Sequence, residues 1–177
     1  RVAREVAEAM LPYVSEVYFN PSSMYDPARH AADAMKSARS RIARALKVSP
    51  AEILFTSCAS ESNNTALWGA FRSNPRRRHV ITTAVEHPAA LGVCKELERH
   101  GCNVTFLGVD SHGSLEVGEF VRALTPDTLL VSIMHANNET GVIFPIDQLS
   151  RITKETDPSI IFHTDATQTV GKLPIDL

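Results

Sequence analysis

The chain has 177 residues, of which 44% are hydrophobic, and it carries 18 basic and 20 acidic side chains. That length allows one domain with a substantial core. The formal charge of -2 gives no electrostatic case for binding nucleic acid, and no apolar run is long enough to span a membrane. Three cysteines without metal-ligand spacing predict no metal site and favour a reducing cytoplasm over a disulfide-linked secreted protein.

The first third of the chain is predicted to be helical. Apolar and charged residues recur at helical spacing over 1–17, where Pro12 is expected to break or kink the helix. A turn cluster over 20–23 precedes a long alanine-rich helix over 28–47.

From residue 52 onwards, short apolar runs alternate with helical patterns. The predicted strands are 53–56, 79–83, 103–107, 128–134 and 160–164. The predicted helices are 61–72, 89–100, 116–124 and 146–156. Alternation of this kind predicts an α/β fold, with a mostly parallel sheet and helices on both of its faces.

The last predicted strand, 160–164, is expected to be buried on both faces because its apolar run is continuous. Asp165 and Gln168 follow it at the carboxyl end, where open α/β sheets bind their ligands. Taken alone, Asp165 is also compatible with a simple turn cap.

Small and hydroxylated residues open the helix that follows the 53–56 strand. Free backbone N–H groups and the helix dipole make this helix start suitable for a phosphate or another anion. A plain N-cap by Ser57 or Ser60 explains the same residues equally well. The sequence contains no glycine-rich dinucleotide fingerprint and no P-loop lysine.

Two other strand ends also carry polar residues. His87 precedes a proline, which favours an extended backbone, and its imidazole could stack on a planar ligand or transfer protons. A structural turn histidine is the alternative. Asn137, Asn138 and Glu139 follow the strand over 128–134; one amide could contact a ligand, or the three could form a hydrogen-bonded loop.

Together these strand ends supply an anion cradle, an imidazole, an amide and a carboxylate with a neighbouring amide. Pyridoxal 5'-phosphate requires a phosphate seat, a ring-stacking partner, a donor to its phenolic oxygen and an acid at its pyridine nitrogen. The acid matters most, because it keeps the pyridine nitrogen protonated. The residues therefore predict a pyridoxal-phosphate site.

Segments distributed over nearly the whole chain also carry a family resemblance: FNPSS (19–23), ILFTSCASESNNTA (53–66), VITTAVEHPA (80–89), SIMHANNETG (132–141) and FHTDATQTVGKLPIDL (162–177). The chain resembles the N-terminal half of a cysteine desulfurase of the NifS/IscS type, and most of all the NifS branch. These proteins belong to the class-V aminotransferase group of fold-type I pyridoxal-phosphate enzymes. The resemblance implies that the sheet is part of their large domain.

The resemblance also implies roles for single residues. Ala59 and Ser60 would bind the cofactor phosphate, with Ser60 at a position where the family commonly has threonine. His87 would stack on the pyridine ring and act in proton transfer. Asn138 would contact the cofactor or the substrate.

At the end of the last strand, the resemblance implies that Asp165 pairs with the pyridine nitrogen and that Gln168 donates to the phenolic oxygen. The implied reaction removes sulfur from L-cysteine, which gives L-alanine and an enzyme persulfide. The sulfur would pass to an acceptor or to an iron–sulfur scaffold protein. The enzyme is expected to be a cytoplasmic homodimer.

The chain departs from the family pattern in what it lacks. The family's Schiff-base lysine follows a stretch resembling 162–177, and its catalytic cysteine lies in the C-terminal half. Lys172 matches a non-catalytic position. Cys58, Cys94 and Cys102 do not match the catalytic cysteine and are expected to be small buried residues.

Two hypotheses follow from these observations. In the first, the chain is part of a cysteine desulfurase, with residues 1–15 in a helix of the small domain and residues 16–177 in an incomplete large domain. A selenocysteine lyase would share the cofactor residues. In the second, the chain is a truncated, non-catalytic α/β fragment. A generic nucleotide-binding domain rests on fold analogy alone.

Overall fold

A computed structural model describes residues 2–175. Its helices are α1 (Arg4–Ser15), α2 (Asp26–Leu46), α3 (Ala59–Ser73), α4 (Pro88–Arg99), α5 (Val117–Ala123) and α6 (Ile146–Thr156). Its strands are β1 (His79–Thr83), β2 (Asn103–Leu107), β3 (Thr128–Ser132) and β4 (Ile161–His163). The predicted elements from α3 onwards are confirmed, with ends that shift by at most two residues. Within the described residues, no helix is both long and apolar enough to cross a bilayer.

The described residues form two compact units, one made of residues 2–55 with Ile175 and the other covering Thr56–Pro174. The predicted domain boundary after residue 15 stays a prediction. In the first unit, α1 continues through Pro12, so the expected break at this residue is wrong and the alternative of a kink stays a prediction. Proline removes a single backbone donor, and the helical pattern resumes when the N–H of Glu16 donates to the carbonyl of Pro12 at 2.9 Å.

The strand predicted over 53–56 is also wrong, since these residues join no sheet in the described part of the chain. Ile53 directly follows a 3₁₀ turn over Pro50–Glu52, and its carbonyl accepts a hydrogen bond from the guanidinium of Arg39. Leu54 is 68% exposed. An apolar run makes a strand only where another strand supplies its hydrogen bonds, and the sequence pattern cannot show that partner.

The second unit contains a four-stranded sheet with the order β2-β1-β3-β4. All three strand pairs are parallel, which confirms the predicted parallel sheet. The central strands β1 and β3 are buried throughout. The expectation that the last strand is buried on both faces is wrong, because β4 lies at an edge of this sheet and its Ile161 is 37% exposed.

Helices cover both faces of the sheet, as predicted. On one face, Val80 and Leu130 of the central strands pack with Leu67 of α3 and Leu97 of α4. On the opposite face, Ile81 and Val131 pack with residues of α5 and α6, including Phe120 and Leu149. Successive strand residues point to opposite faces, so each of the two central strands contributes side chains to both hydrophobic cores.

The parallel arrangement also positions the polar residues that follow the strands. Since β1, β3 and β4 run in the same direction, their carboxyl ends lie at one edge of the sheet. The segments after Thr83, Ser132 and His163 are therefore brought together there, although they lie far apart in the sequence.

Candidate functional site

A cleft opens at the carboxyl ends of the strands, within the second unit. Its lining residues are Ala59, His87, Met134, Ala136, Asn138, Asp165, Thr167 and Gln168. All of the site residues predicted from the sequence except Ser60 are in this set. The cleft has a volume of about 120 Å³, below the roughly 300–1,000 Å³ of typical ligand pockets. The described residues therefore enclose less space than a typical ligand fills, and they form one wall of a site.

Asp165 is held at the centre of this wall by three hydrogen bonds. Its Oδ2 accepts from Nδ2 of Asn63 at 2.8 Å, and its Oδ1 accepts from the backbone N–H of Thr167 at 3.0 Å. The backbone carbonyl of Asp165 accepts from the N–H of His135, just beyond β3, at 3.0 Å. These bonds fix the carboxylate relative to α3, and they fix the backbone of Asp165 relative to the segment after β3.

The surroundings of Asp165 favour its ionised form. Burial raises its pKa, but hydrogen bonds from Thr167 and Asn63 outweigh burial, so the pKa lies below its ordinary value. Donors that point at a carboxylate stabilise its charged state. Asp165 is therefore an anion at neutral pH that can still accept a further donor from the cleft, since each carboxylate oxygen has two lone pairs.

His87 lies at the turn between β1 and α4, where it is the exposed N-cap residue of α4. Its backbone is extended, with φ −59° and ψ 144°, as the following proline requires. The ring atom Nδ1 accepts a hydrogen bond from the N–H of Ala89 at 3.1 Å. In the neutral imidazole, this bond leaves Nε2 as the donor.

The two asparagines of the loop after β3 have different roles. The Oδ1 of Asn137 accepts from the N–H groups of Glu139 and Thr140, each at 3.0 Å, and its Nδ2 donates to the carbonyl of Val85 at 3.1 Å. Asn137 therefore holds the loop in shape. Asn138 is exposed and lines the cleft, so it is the amide that can reach a ligand.

Gln168 lies one short turn beyond Asp165 and is exposed on the same wall. Its Oε1 accepts a long hydrogen bond, 3.4 Å, from Nζ of Lys172. Because this contact uses the amide oxygen, the N–H groups of Gln168 are available as donors toward the cleft.

The start of α3 supplies the anion-binding element. Its N-cap residue is Cys58, which makes no side-chain capping hydrogen bond, so the alternative of a plain N-cap by Ser57 or Ser60 is wrong. Ser57 instead donates its backbone N–H and its hydroxyl to Oε2 of Glu61, at 2.7 Å and 2.6 Å. Helix N–H groups without a capping partner attract anions. Ala59 faces the cleft there.

Glu86 is a functional candidate that the sequence did not reveal. It is 4% exposed, and its Oε1 accepts from the hydroxyl of Thr83 at 2.8 Å and from the N–H of Met134 at 2.9 Å. Its Oε2 is buried without a partner. Burial raises the pKa of Glu86 to about 7, although these two hydrogen bonds act to lower it.

Asn63, the donor to Asp165, was also missed. It is 3% exposed and lies on the buried stripe of α3 with Leu67 and Ala70. A polar residue on an apolar helical stripe was the available signal. For Glu86, the corresponding signal was an acid three residues after the end of strand β1.

The cysteines divide into two classes. Cys94 and Cys102 are buried, as predicted, and burial raises the pKa of Cys94 to about 11. The prediction is wrong for Cys58, which is exposed because it precedes the first turn of α3. Cys58 does not line the cleft.

The donor set of the cleft fits pyridoxal phosphate. It combines an ionised carboxylate, an amide with available N–H groups, an imidazole donor and an uncapped helix start, which match the polar atoms of that cofactor. In the described part of the chain, no three acidic, histidine or cysteine side chains gather as metal ligands would.

Comparison with known proteins identifies the family. The sequence profile of the class-V aminotransferases matches residues 1–177. The chain belongs to this family. Cysteine desulfurase 2 of Trichormus variabilis is 50% identical over all of this class-V aminotransferase chain, which spans 44% of that relative. The predicted resemblance to the N-terminal half of NifS/IscS-type proteins is thus confirmed.

Solved structures agree with this assignment. A NifS-like protein superposes with a TM-score of 0.95 at 42% identity, over 100% of this chain and 49% of that one. A structure described as SspA in complex with cysteine gives a TM-score of 0.91 at 41% identity, over 99% of this chain and 50% of that one. The class-V aminotransferase chain spans about half the length of these proteins.

Proposed function

We propose that the protein containing this chain is a cysteine desulfurase that binds pyridoxal 5'-phosphate and removes sulfur from L-cysteine. The observation that carries the proposal is the convergence of an ionised Asp165, Gln168, His87 and Asn138 on one cleft in front of the uncapped start of α3. Identity of 50% to a protein named cysteine desulfurase supports the choice of reaction.

The proposed roles follow from the position of each group. The backbone at Ala59 and Ser60 would bind the phosphate at the start of α3, although the Ser60 side chain does not line the cleft. Gln168 would donate to the phenolic oxygen. Asn138 would contact the cofactor or the substrate from the loop after β3.

The cofactor, when bound, supplies a pyridine ring that withdraws electrons from the substrate beside it. Asp165 serves this chemistry by holding a proton at the pyridine nitrogen, for which its lowered pKa suits it. His87 would stack on the ring through its imidazole face. With Nδ1 accepting from Ala89, its Nε2 is the atom that would carry a proton to or from the substrate.

The proposed products are L-alanine and a persulfide on an enzyme cysteine, whose sulfur would pass to an iron–sulfur scaffold or another acceptor. Cys94 and Cys102 are buried, and Cys58 lies outside the cleft lining; none of them is assigned the persulfide. We also propose a cytoplasmic homodimer.

The proposal is tested with the full-length protein that contains these residues. Loaded with pyridoxal phosphate and supplied with a reducing thiol that discharges the persulfide, it should release alanine and sulfide from L-cysteine. Asp165→Ala should lower turnover by at least about 100-fold, the scale of removing a preorganised charged group from an active site. A full-length protein that binds no pyridoxal phosphate, or an Asp165→Ala variant with unchanged turnover, would refute the proposal.

Two further assays address the remaining alternatives. Selenocysteine supplied in place of cysteine distinguishes a selenocysteine lyase, which would prefer it strongly. The 177-residue chain alone should be inactive, because none of the residues that line its cleft is a lysine and no covalent anchor for the cofactor is present there.

A further inference from the structure

Two residues on one face of α3 reach the site, one at the cleft surface and one through Asp165. Ala59, in the first turn, lines the cleft, and Asn63 lies one turn further along the same face. The Nδ2 of Asn63 donates to Oδ2 of Asp165 across 2.8 Å. A single helix thus joins the proposed phosphate seat to the acid.

This contact links residues that are 102 positions apart in the sequence. Asn63 is 3% exposed, so it has little access to water, and its position is set by the packing of α3. A donor held this rigidly favours one orientation of the carboxylate and favours its ionised state. The backbone N–H of Thr167 is a second donor to Asp165. The Thr167 side chain and the charge of His163 also lower the pKa of Asp165, and the buried Glu86 is the neighbouring acid that interacts with it.

We propose that Asn63 is a positioning residue for the reaction: it aims the Asp165 carboxylate at the pyridine nitrogen and keeps this carboxylate charged. The inference rests on the proposed function, since it assumes that Asp165 faces a pyridine ring. It assigns Asn63 no contact with the cofactor itself.

A merely structural role makes a different prediction. If Asn63 only satisfies its own amide inside the unit, replacing it should lower the stability of the fold and leave the properties of the Asp165 carboxyl unchanged. The experiment must therefore measure the pKa of the Asp165 carboxyl and the affinity for the cofactor directly.

The chain offers a matched control in the neighbouring asparagine. Asn64 is exposed and donates within α3 to the carbonyl of Ser60 at 2.8 Å. Asn63→Leu keeps a similar side-chain size and removes the donor, and Asn64→Leu makes the same change on the outer face. Each variant is compared with the parent protein, after circular dichroism has verified that it folds.

Two measurements are made on each protein. In the cofactor-free protein, carboxyl ¹³C NMR should show a higher pKa for Asp165 in Asn63→Leu and an unchanged pKa in Asn64→Leu. In the full-length protein, the dissociation constant for pyridoxal phosphate should rise about tenfold or more in Asn63→Leu only, as expected for losing a hydrogen bond to a charged group.

A second variant covers the case in which leucine prevents folding. Asn63→Ala also removes the donor and is compared with Asn64→Ala. It should raise the pKa of Asp165 and weaken pyridoxal-phosphate binding, as Asn63→Leu does, while Asn64→Ala should change neither. An unchanged Asp165 pKa or an unchanged cofactor dissociation constant in a folded Asn63 variant would overturn the inference. Failure of the parent protein to bind the cofactor would instead contradict the proposed function.

Discussion

Glu86 shows how a single buried acid can make the site region sensitive to pH. Its pKa of about 7, against an ordinary value of 4.5, means that the folded protein binds this proton more tightly than the unfolded chain. The stability contributed by the bound proton is fully present below about pH 4.5 and is lost as the pH rises to about 7. The difference amounts to roughly 3 kcal/mol.

Replacing Glu86 with glutamine should remove this pH dependence, because glutamine keeps the accepting oxygen but has no proton to lose. The parent should therefore lose stability as the pH rises while the Glu86→Gln variant does not. From about pH 5 to about pH 8, the difference in the free energy of unfolding, variant minus parent, should grow by roughly 3 kcal/mol. Urea denaturation at several pH values measures both proteins. Parallel stability curves over this range would contradict the assignment of a raised pKa to Glu86.

At the scale of an element, the two asparagines of the loop after β3 have different roles: Asn137 stabilises the loop, and Asn138 lines the cleft. Asn137→Ala removes hydrogen bonds to the N–H groups of Glu139 and Thr140 and to the carbonyl of Val85. We expect this variant to lose roughly 1–3 kcal/mol of stability, because these groups lose a part-buried partner. Thermal and urea denaturation provide the measurement.

Asn138→Ala is the matched variant one residue away. Asn138 is exposed and lines the cleft, so its loss should leave stability nearly unchanged and weaken pyridoxal-phosphate or substrate binding by roughly two- to tenfold. The two variants should therefore show opposite patterns of stability and affinity. A large stability loss in Asn138→Ala would show that this residue, too, holds the loop.

The elements also show what the sequence could and could not predict. From α3 onwards, helical and strand periodicities identified the elements, because both cores require a continuous apolar stripe on each. The strand ends likewise predicted His87, Asp165 and Gln168, whereas the choice of Asn138 over Asn137 came from the family resemblance. The sequence did not show features that depend on a partner far away in the chain. No neighbouring strand pairs with 53–56, and the buried Asn63 has its acceptor, Asp165, 102 positions away.

At the scale of the whole molecule, the apolar residues of α1 are unusual. None of its residues is buried, and Val6, Met10 and Tyr13 are 51%, 56% and 49% exposed. They recur at i, i+4 and i+7, so they form one stripe. Exposed apolar surface of this kind promotes association, and we expect the 177-residue chain alone to self-associate as its concentration rises.

Sedimentation velocity over a range of concentrations measures this association. Val6→Glu combined with Met10→Lys interrupts the stripe and adds an opposite-charge pair at helical spacing, so it should shift the isolated chain toward the monomer. Val121→Glu changes a residue of α5 with 47% exposure and should have little effect, since it leaves the stripe of α1 intact. If the parent chain stays monomeric at every concentration, or if both variants shift it equally, the stripe is not the cause of association.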